Sequence, residues 1–292
     1  MGIVIKESRD VDKIVKLFEQ HEGIPFTYLM NIPIVKTLSQ LESFKIFVAE
    51  INDEVIGCIY SLNYIYDSGY IGGLLVHKVF RGRGIGSSLL KIALNSLNSK
   101  HVYLFVMEDN ALAVSLFEKV GFRKIYRRLY YTISQPFNDV SGARKVTYDV
   151  EWHDLKNAIG FSERNGVINF GYYPVKITEE AFEDLKTKGK VLRYGSTIAI
   201  IEELHGLILE DKFYTFNDYV FRKLRGVEAS KKIIEVNPFY TTLNPSDLAS
   251  LLNHLLPIGE VHVRTYYGDP VASKLPLTGN IGALTMEYEN KR

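Results

Sequence analysis

The stretch FRGRGIGSSLL, residues Phe80 to Leu90, places three glycines and two arginines within six residues and then turns apolar. A helical pattern follows, from Ser87 to Asn98. Glycine in an ordered loop costs backbone entropy, so it usually marks a tight turn or the close approach of another group. A strand, a glycine-rich turn and a helix N-terminus form a cradle for an anion, because free N–H groups converge there and the helix dipole favours negative charge. The stretch therefore predicts an anion-binding loop.

Three known versions of such a loop can be compared with this sequence. A nucleoside-triphosphate P-loop requires G-x-x-x-x-G-K-[ST], and neither Lys-Ser nor Lys-Thr follows these glycines. A dinucleotide fingerprint requires G-x-G-x-x-G, but counting from Gly82 and Gly84 the last position is Ser87. The third version, R-x-x-G-x-G, is matched by Arg81, Gly84 and Gly86.

This third pattern resembles the acetyl-CoA pyrophosphate loop of the GNAT superfamily of N-acetyltransferases. A second segment, LFVMEDNALAVSLFEKVGFRK, is similar to the family motif N-x-x-A-x-x-[LF]-[YF]-x-x-x-G-F, whose positions are filled by Asn110, Ala113, Leu116, Phe117, Gly121 and Phe122. The two segments stand in the family's usual order and at its usual separation. The resemblance extends over nearly all of residues 1–133.

The resemblance implies a mixed-sheet α/β fold, the GNAT fold, for the N-terminal half, with acetyl-CoA as cosubstrate. It implies that the fourth and fifth strands separate and that the pantetheine arm lies between them, bonded to backbone near Leu75 and Val76. The Val76 N–H is then the candidate donor to the oxyanion of the reaction, and Asn110 contacts the same arm. The implied cofactor-binding residues are Leu75, Val76, Arg81, Gly82, Arg83, Gly84, Ile85, Gly86, Ser87, Asn110 and Phe117.

Two positions depart from the family pattern. Phe117 stands where many members place a tyrosine that protonates the departing thiolate, and Phe105 stands where several protein-acetylating members carry a glutamate base. At pH of about 7.4, a lysine amine with a pKa of about 10.4 is only about a thousandth neutral, whereas an α-amine with a pKa of about 7.7–8.0 is about a quarter neutral. A site without a dedicated base therefore suits an α-amine better than a lysine.

The run RRLYY, residues 127–131, resembles the tyrosine pair with which protein N-terminal acetyltransferases line the acceptor site. Tyr130 and Tyr131 are therefore candidate catalytic residues, together with Val76. Candidates for a substitute acid or base are Tyr126, Tyr130 and a residue of the loop around Glu22.

The function that these residues favour is direct transfer of an acetyl group from acetyl-CoA to a primary amine, including the α-amine of a protein or peptide. The departures at Phe105 and Phe117 keep an alternative open, a non-catalytic acyl-CoA-binding sensor or regulatory module. We expect acetyl-CoA to bind in either case, because the Arg81–Gly86 pattern is intact.

Segments of the second half echo the first in the same order: Val261–Leu275 resembles Val102–Leu116, Ile198–Ile208 resembles Phe47–Ile59 with Gly206 meeting Gly57, and Val236–Tyr240 resembles Val76–Phe80. This preserved order favours a diverged repeat. The counterpart of the glycine loop, Thr241–Ser250, has no glycine and contains Pro245, which lacks an N–H donor. We therefore expect a GNAT domain over 1–135, a linker over 136–145, and a smaller, degenerate GNAT-like α/β domain over 146–292. This second domain would not bind acetyl-CoA and would shape the acceptor site of the first.

Composition limits the class of protein. The chain has 292 residues, 46% apolar and 24% charged, with a formal net charge of +1, which favours two globular domains and no polyanionic partner such as nucleic acid. The single cysteine, Cys58, excludes an internal disulfide and fits a reducing cytoplasm. No apolar run approaches the ~20 residues that cross a bilayer, and no cluster has metal-ligand spacing. We expect a cytoplasmic protein with a small-molecule or peptide amine acceptor, no metal or membrane partner, and an undecided oligomeric state.

Overall fold

The computed structural model describes residues 2–19, 32–138, 140, 145–171, 173–209, 212–277 and 279–290. Its helices are Val11–Glu19 (α1), Ile32–Leu38 (α2), Ile85–Asn95 (α3), Ala111–Val120 (α4), Trp152–Lys156 (α5), Glu179–Thr187 (α6), Asp218–Phe221 (α7) and Pro245–Leu255 (α8). Its strands are Val4–Glu7 (β1), Phe44–Ile51 (β2), Glu54–Asn63 (β3), Ser68–Val76 (β4), His101–Val106 (β5), Arg123–Ile133 (β6), Val167–Phe170 (β7), Tyr173–Lys176 (β8), Val191–Tyr194 (β9), Thr197–Leu209 (β10), Lys212–Asn217 (β11), Lys231–Tyr240 (β12), Glu260–Tyr266 (β13) and Gly279–Glu289 (β14). Short 3-10 turns occur at Lys78–Phe80, Leu256–Ile258 and Ala272–Lys274.

A 12-stranded mixed sheet runs through both halves of the chain in the order β1-β2-β3-β4-β5-β14-β6-β13-β12-β10-β11, and β9 also pairs with β10. The β7–β8 hairpin forms a separate two-stranded sheet. The predicted α/β class with a mixed sheet is confirmed. Among the helices of the described residues, none is long and apolar enough to cross a membrane.

The centre of the sheet exchanges strands between the halves. β14 lies between β5 and β6, antiparallel to both, and β6 pairs on its other side with β13. Outwards from this centre the pairings match on the two sides, because β5–β4 and β13–β12 are parallel while β4–β3 and β12–β10 are antiparallel. The last described strand thus completes the sheet of the first half.

The two faces of the sheet are covered differently. On one, which we call the helix face, α3, α4 and α8 pack over buried apolar side chains. On the other, the hairpin face, α1, α2, α6 and the β7–β8 hairpin share one apolar core with the sheet. Side chains from both halves contribute to this second core, so the hairpin face belongs to neither half alone.

Local chemistry explains where the helices next to the glycine loop begin and end. α3 turns Ile85, Leu89 and Leu90 onto the sheet and buries them, as its helical apolar spacing requires. α4 begins at Asn110, whose Oδ1 accepts a hydrogen bond from the Ala113 N–H at 3.2 Å. It ends at Gly121, which adopts the left-handed conformation with φ 112° that favours glycine.

A buried carboxylate holds β14 in place. The Glu287 side chain, 3% exposed, accepts hydrogen bonds at 3.0 Å each from His101, Tyr103 and Asn165. Burial by itself would raise the pKa of Glu287, but the hydrogen bonds from His101 and Tyr103 outweigh it, so its pKa lies below the ordinary value. One strand end is thereby bonded to both halves.

Replacing Glu287 by Gln is expected to lower the free energy of unfolding at neutral pH by about 2 kcal/mol, because charge-assisted hydrogen bonds are lost. A depressed folded-state pKa means that this stability is present above the ordinary glutamate pKa of about 4.3 and is lost as the pH falls through the lower folded value. The difference between the two proteins should therefore shrink in acid. Urea denaturation at several pH values measures it.

Glu289→Gln is the matched control on the same strand. The Glu289 side chain is 50% exposed and lies 3.7 Å from Lys100, so its loss should cost less than about 0.5 kcal/mol. Equal effects of the two substitutions, or a Glu287 effect that does not depend on pH, would contradict the assignment.

Candidate functional site

β4 and β5 separate part of the way along their length. Their parallel pairing covers Ser68–Tyr70 opposite His101–Tyr103 and stops there, although β4 continues to Val76. A bulge in β4 causes the separation, because Gly73 has φ +64° and the register with β3 shifts. A Cβ at Gly73 would lie 2.7 Å from the Tyr60 ring, so the bulge requires glycine. The strands thus form the gap that the resemblance implies.

The Val76 N–H points into this gap. Val76 stands opposite Gly57 on β3, and the next amide, that of His77, donates to the Ile56 carbonyl at 2.8 Å. This makes Gly57–Val76 the non-hydrogen-bonded kind of antiparallel pair, in which both backbones direct their polar groups away from each other. The Val76 carbonyl accepts a hydrogen bond from Arg81 Nε at 3.0 Å. The Val76 N–H is therefore directed away from β3, and its role as a donor stays a prediction.

The glycine loop lies at the end of the gap. Gly82 and Gly84 have φ +77° and +78°, and a Cβ at either would meet no described atom within 4 Å. Gly84 is the N-cap of α3, and the first backbone bond of the helix is donated by Ser88 to the Gly84 carbonyl at 3.0 Å. The N–H groups of residues 85–87 precede that bond and point out of the helix end. The cradle therefore fits the pyrophosphate of acetyl-CoA.

The other predicted cofactor residues divide into exposed and buried groups. Arg81 and Arg83 are exposed beside the cradle, while Gly86 and Ser87 are half-buried in the first turn of α3. The Asn110 side chain is exposed at the start of α4, where its Oδ1 caps the helix. The side chains of Leu75, Ile85 and Phe117 belong to the apolar cores, so only their backbone is placed to meet a ligand.

The two predicted tyrosines do not share a site. Adjacent strand residues point to opposite faces, and Tyr131 is buried on the helix face under α8. Tyr130 lies on the hairpin face, with the Arg264 guanidinium 5.1 Å from its ring centroid. The two tyrosines therefore lie on opposite faces of the sheet and do not line one site together, and the catalytic role of each stays a prediction.

The remaining candidates for a substitute acid or base are also placed. Tyr126 is buried, its Oη accepts a hydrogen bond from Asn169 at 3.0 Å, and burial raises its pKa. A group whose pKa is raised in this way is a poor base near neutral pH. The loop around Glu22 lies outside the described residues.

Aromatic rings and one guanidinium line the gap on the hairpin face. The Phe105 ring lies 5.5 Å from that of Tyr70, and Tyr70 lies 5.3 Å from Tyr173 of the β7–β8 hairpin. The Arg128 guanidinium carbon lies 3.2 Å from the Phe105 ring centroid. Burial raises the pKa of Tyr70 well above its usual value, and the charge of Arg128 opposes this. Neither Arg128 nor Tyr173 was among the residues predicted from the sequence. Strand alternation from Tyr130 was the available signal for Arg128, and no sequence signal indicates Tyr173.

A corresponding gap between β12 and β13 is filled by the chain itself. The pairing of these strands ends at Val236 and Val263. Beyond it, Ile159 forms an antiparallel bridge with Tyr240, through backbone hydrogen bonds of 2.8 and 3.1 Å. The Arg164 guanidinium, in a residue 1% exposed, then spans the gap.

Three carbonyl oxygens hold that guanidinium. Arg164 donates to the carbonyl of Gly160 at 2.8 Å, to that of Pro238 on β12 at 2.6 Å and to that of Arg264 on β13 at 3.5 Å. Its carbon lies 4.0 Å from the Phe239 ring centroid. An internal segment and a buried cation thus occupy the second gap.

Before α8, the described residues form no open cradle like the one that precedes α3. The connection from β12 to α8 is only residues 241–244, whereas that from β4 to α3 is residues 77–84. Asn244 caps α8 by accepting from the Ser246 N–H at 3.2 Å, and Pro245 takes the first helical position. Within the described residues, no group of three or more His, Cys, Asp or Glu is placed to hold a metal ion.

Part of the first half is similar in sequence to known acetyltransferases. The profile of the acetyltransferase (GNAT) family matches residues 14–122. The chain is 29% identical over 140 residues to an N-alpha-acetyltransferase of Sulfurisphaera tokodaii, a match that covers 42% of this chain and 80% of that protein. It is 36% identical over 94 residues to N-alpha-acetyltransferase 30 of Dictyostelium discoideum, covering 30% of this chain and 51% of that one.

Among solved structures, the ribosomal-protein-S18-alanine N-acetyltransferase of Escherichia coli is similar, with 19% identity and a TM-score of 0.37, over 47% of this chain and 86% of that one.

Replacing Gly84 by Glu is expected to lower the affinity for acetyl-CoA by at least about a hundredfold, because a carboxylate would stand in the anion cradle. Gly189→Glu is the matched control, since Gly189 has φ +66° and also has open space around its Cβ position. Calorimetric titration measures both affinities. Normal binding by the Gly84 variant, with the Gly189 variant also binding, would show that the pyrophosphate lies elsewhere.

Proposed function

We propose that this chain, whose residues 14–122 match the acetyltransferase (GNAT) family, transfers acetyl directly from acetyl-CoA to the α-amine of a peptide or protein. The observation that carries the proposal is the gap between β4 and β5, which begins at the Gly84 cradle and receives the Val76 N–H. A gap of this kind holds an extended thioester against a backbone donor. Holding both reactants in one geometry supplies much of the acceleration.

The chain's own groups have separate tasks in this transfer. The N–H groups of residues 85–87 bind the pyrophosphate, aided by the positive end of the α3 dipole. The Val76 N–H donates to the carbonyl oxygen as it gains negative charge. The neutral amine nitrogen forms a bond to the acetyl carbon as the bond from that carbon to sulfur breaks. The proton that the nitrogen then loses ends on the departing thiolate, so the products are the amide and the free thiol of coenzyme A. A thiol with a pKa of about 8.5 departs as thiolate near neutral pH, so the absence of an acid at Phe117 is tolerable.

The proposed acceptor, an α-amine, follows from what stands beside the gap. The position of the family's glutamate base holds Phe105, and the charge against it is the guanidinium of Arg128. A nearby cation disfavours an ammonium and favours the neutral amine. This environment suits an amine whose own pKa is close to neutral. The names of the two relatives, both N-alpha-acetyltransferases, support the same class of acceptor.

We further propose that the chain has two related halves, a GNAT domain over 1–135 and a degenerate GNAT-like domain over 146–292 joined by residues 136–145. On either side of the central strands β14 and β6, parallel and antiparallel pairings follow in the same order, which supports this division. A similar hydrogen bond in each half also supports the division. Asp269 Oδ1 accepts from the Ala272 N–H at 2.8 Å, and Asn110 Oδ1 accepts from the Ala113 N–H in the first half. The Arg164 side chain fills the gap between β12 and β13, and the connection before α8 is short. Both observations support a single acetyl-CoA site.

With an unblocked peptide, kcat/KM is expected to rise with pH through the α-amine pKa of about 7.7–8.0 and then to level off, because only the neutral amine reacts. The same peptide with a blocked N-terminus and one lysine should react at least about a hundredfold more slowly at neutral pH. Equal rates for the two would contradict the α-amine assignment. Acetyl-CoA binding without turnover of any amine would favour the sensor alternative instead.

Calorimetric titration of the wild-type chain is expected to give one acetyl-CoA per chain. The second gap is closed by the bonds of Arg164 to the Pro238 and Arg264 carbonyls, and the connection before α8 is too short for a cradle. A stoichiometry of two would contradict the degeneracy of the second half. The Gly84→Glu variant identifies the half that binds, because its affinity for acetyl-CoA should fall by at least about a hundredfold.

A further inference from the structure

We infer that Tyr70 sets the length of the acyl chain that the donor thioester can carry, so that the protein transfers acetyl and other acyl groups of up to about six carbons and rejects longer ones. The inference rests on the proposed function, since it names the class of donor for the same gap. Three observations carry it: the gap is open at one end, the Tyr70 side chain closes the other end, and buried side chains cover both faces of that closed end.

The direction of the donor in the gap follows from its linear shape. An acyl-coenzyme A carries its pyrophosphate near one end and its acyl group at the other. The Gly84 cradle lies beyond the C-terminal end of β4 and holds the pyrophosphate in the proposed function. The strands β4 and β5 pair only at their first residues, Ser68–Tyr70 and His101–Tyr103. The acyl group therefore points from the cradle towards this paired end of the gap.

The backbone of β5 directs an N–H group into the gap at Phe105. The His101 N–H donates to the carbonyl of Asp67, just before β4, at 3.1 Å. Alternate residues of a strand direct their N–H groups to the same side, so the Phe105 N–H also points towards β4. A hydrogen bond from the Phe105 backbone reaches Tyr70 and partly opposes the rise in the pKa of Tyr70 that burial causes. The Tyr70 side chain therefore lies across the gap.

Neighbouring rings hold the Tyr70 side chain in this position. A Cβ at Gly72 would lie 2.9 Å from Cε1 of Tyr70, so the ring packs directly against the bulge. The Tyr60 ring centroid lies 6.2 Å from that of Tyr70, and the Tyr173 centroid lies 5.3 Å from it. The three tyrosines are only 3–5% exposed. A side chain packed in this way moves aside only at a considerable cost in free energy.

The helix face of the closed end is covered as well. Ile71 of β4 and Leu104 of β5 are each 1% exposed and belong to the core under α3. The side chains of Tyr70 and Phe105 point to the opposite face, because adjacent residues of a strand alternate. An acyl chain that reaches this end therefore meets packed side chains on both faces and ahead of it.

The register with β3 gives the depth of the gap. Val76 stands opposite Gly57 and Gly72 stands opposite Tyr60, three residues further along β3, which is about 10 Å at about 3.3 Å per residue. Contact with the Tyr70 side chain takes up the last 3.5–4 Å, roughly. An extended chain advances about 1.2 Å per bond, so about five bonds fit beyond a carbonyl carbon held at Val76. This gives the limit of about six carbons.

The test measures kcat/KM for one unblocked peptide with acetyl-, butyryl-, hexanoyl-, octanoyl- and decanoyl-coenzyme A. For the wild type we expect butyryl to lie within about tenfold of acetyl, and decanoyl to lie at least about a hundredfold below butyryl, because packed side chains resist the extra atoms. Equal rates for decanoyl and butyryl overturn the inference. A similar fall between acetyl and butyryl also overturns it, since the barrier would then lie closer to Val76 than Tyr70 does.

Variants then assign the limit to Tyr70. Tyr70→Leu shortens the side chain that closes the gap and should raise the decanoyl-to-butyryl ratio of kcat/KM at least about tenfold. Tyr70→Phe, which loses only the hydroxyl, should raise the ratio less. The matched control is Tyr194→Leu, because Tyr194 is also a buried strand tyrosine, 5% exposed, but lies in the helix-face core of the second half. That control should leave the ratio unchanged.

Calorimetric titration with free coenzyme A shows whether each variant is folded. Free coenzyme A carries no acyl group and does not reach Tyr70, so the wild type and Tyr70→Leu should bind it with equal affinity. An unchanged donor ratio in a Tyr70→Leu variant that binds free coenzyme A overturns the inference. So does a loss of activity that is equal for all donors, which is what a merely structural role produces. If Tyr70→Leu does not fold, the wild-type series and Tyr70→Phe decide.

Failure of the proposed function gives a different result. Transfer to no amine from any of the donors overturns the proposed function itself. The affinities of the same five donors, measured by calorimetry, then still test the barrier. A sharp fall in affinity beyond hexanoyl that Tyr70→Leu removes supports the position of Tyr70 in the gap, and equal affinities for all five overturn it.

Discussion

The double pairing of β14 is the constraint on which the rest of the structure depends. Thr285 of this strand stands opposite Phe105 on β5 and opposite Tyr126 on β6. Two strands of the first half are thereby held apart by a strand of the second, and β6 becomes the neighbour of β13. Each half would otherwise present an unpaired edge in the middle of the molecule, where unpaired backbone groups are costly. The continuous sheet is the solution, and it places side chains of both halves on one hairpin face.

Features that depend on neighbours in sequence were predictable. The glycine loop and the end of α4 at Gly121 follow from backbone conformations and hydrogen bonds that span only a few residues. The start of α5 is also a local feature, because the Glu151 N–H donates to Asp154 Oδ2 at 3.0 Å and so caps this short helix.

Features that depend on register across the sheet were not predictable. Arg128 on β6 contacts Phe105 on β5 across β14, a strand from the far end of the chain that lies between them. The pairing of β14 with β6 also contains a bulge between Ile281 and Leu284. A pattern within β6 can give the face of a side chain but not the strand that it meets. The position of the Arg164 guanidinium was unpredictable for the same reason, because its carbonyl partners on β12 and β13 are far away in sequence.

The proposed echoes between the halves show the same limit. Val102 and Val261 both lie on strands that pair in parallel with a neighbour, which is compatible with the proposed match. The match of Gly206 with Gly57 does not fit the pairings, because Gly57 stands opposite Val76 whereas Gly206 stands opposite Lys231. Val236, the supposed counterpart of Val76, stands opposite Ile201 instead.

The central position of β14 has a consequence for how the protein is made. A ribosome releases β5 and β6 long before β14, so the nascent first half cannot close its sheet while the second is still being synthesised. Contacts between distant parts of a chain form slowly, and exposed strand edges invite association with other chains. The hairpin face is complete only when the later strand has threaded between the earlier two. The proposed acceptor site would then form last, so we expect partly synthesised chains not to carry out the proposed transfer.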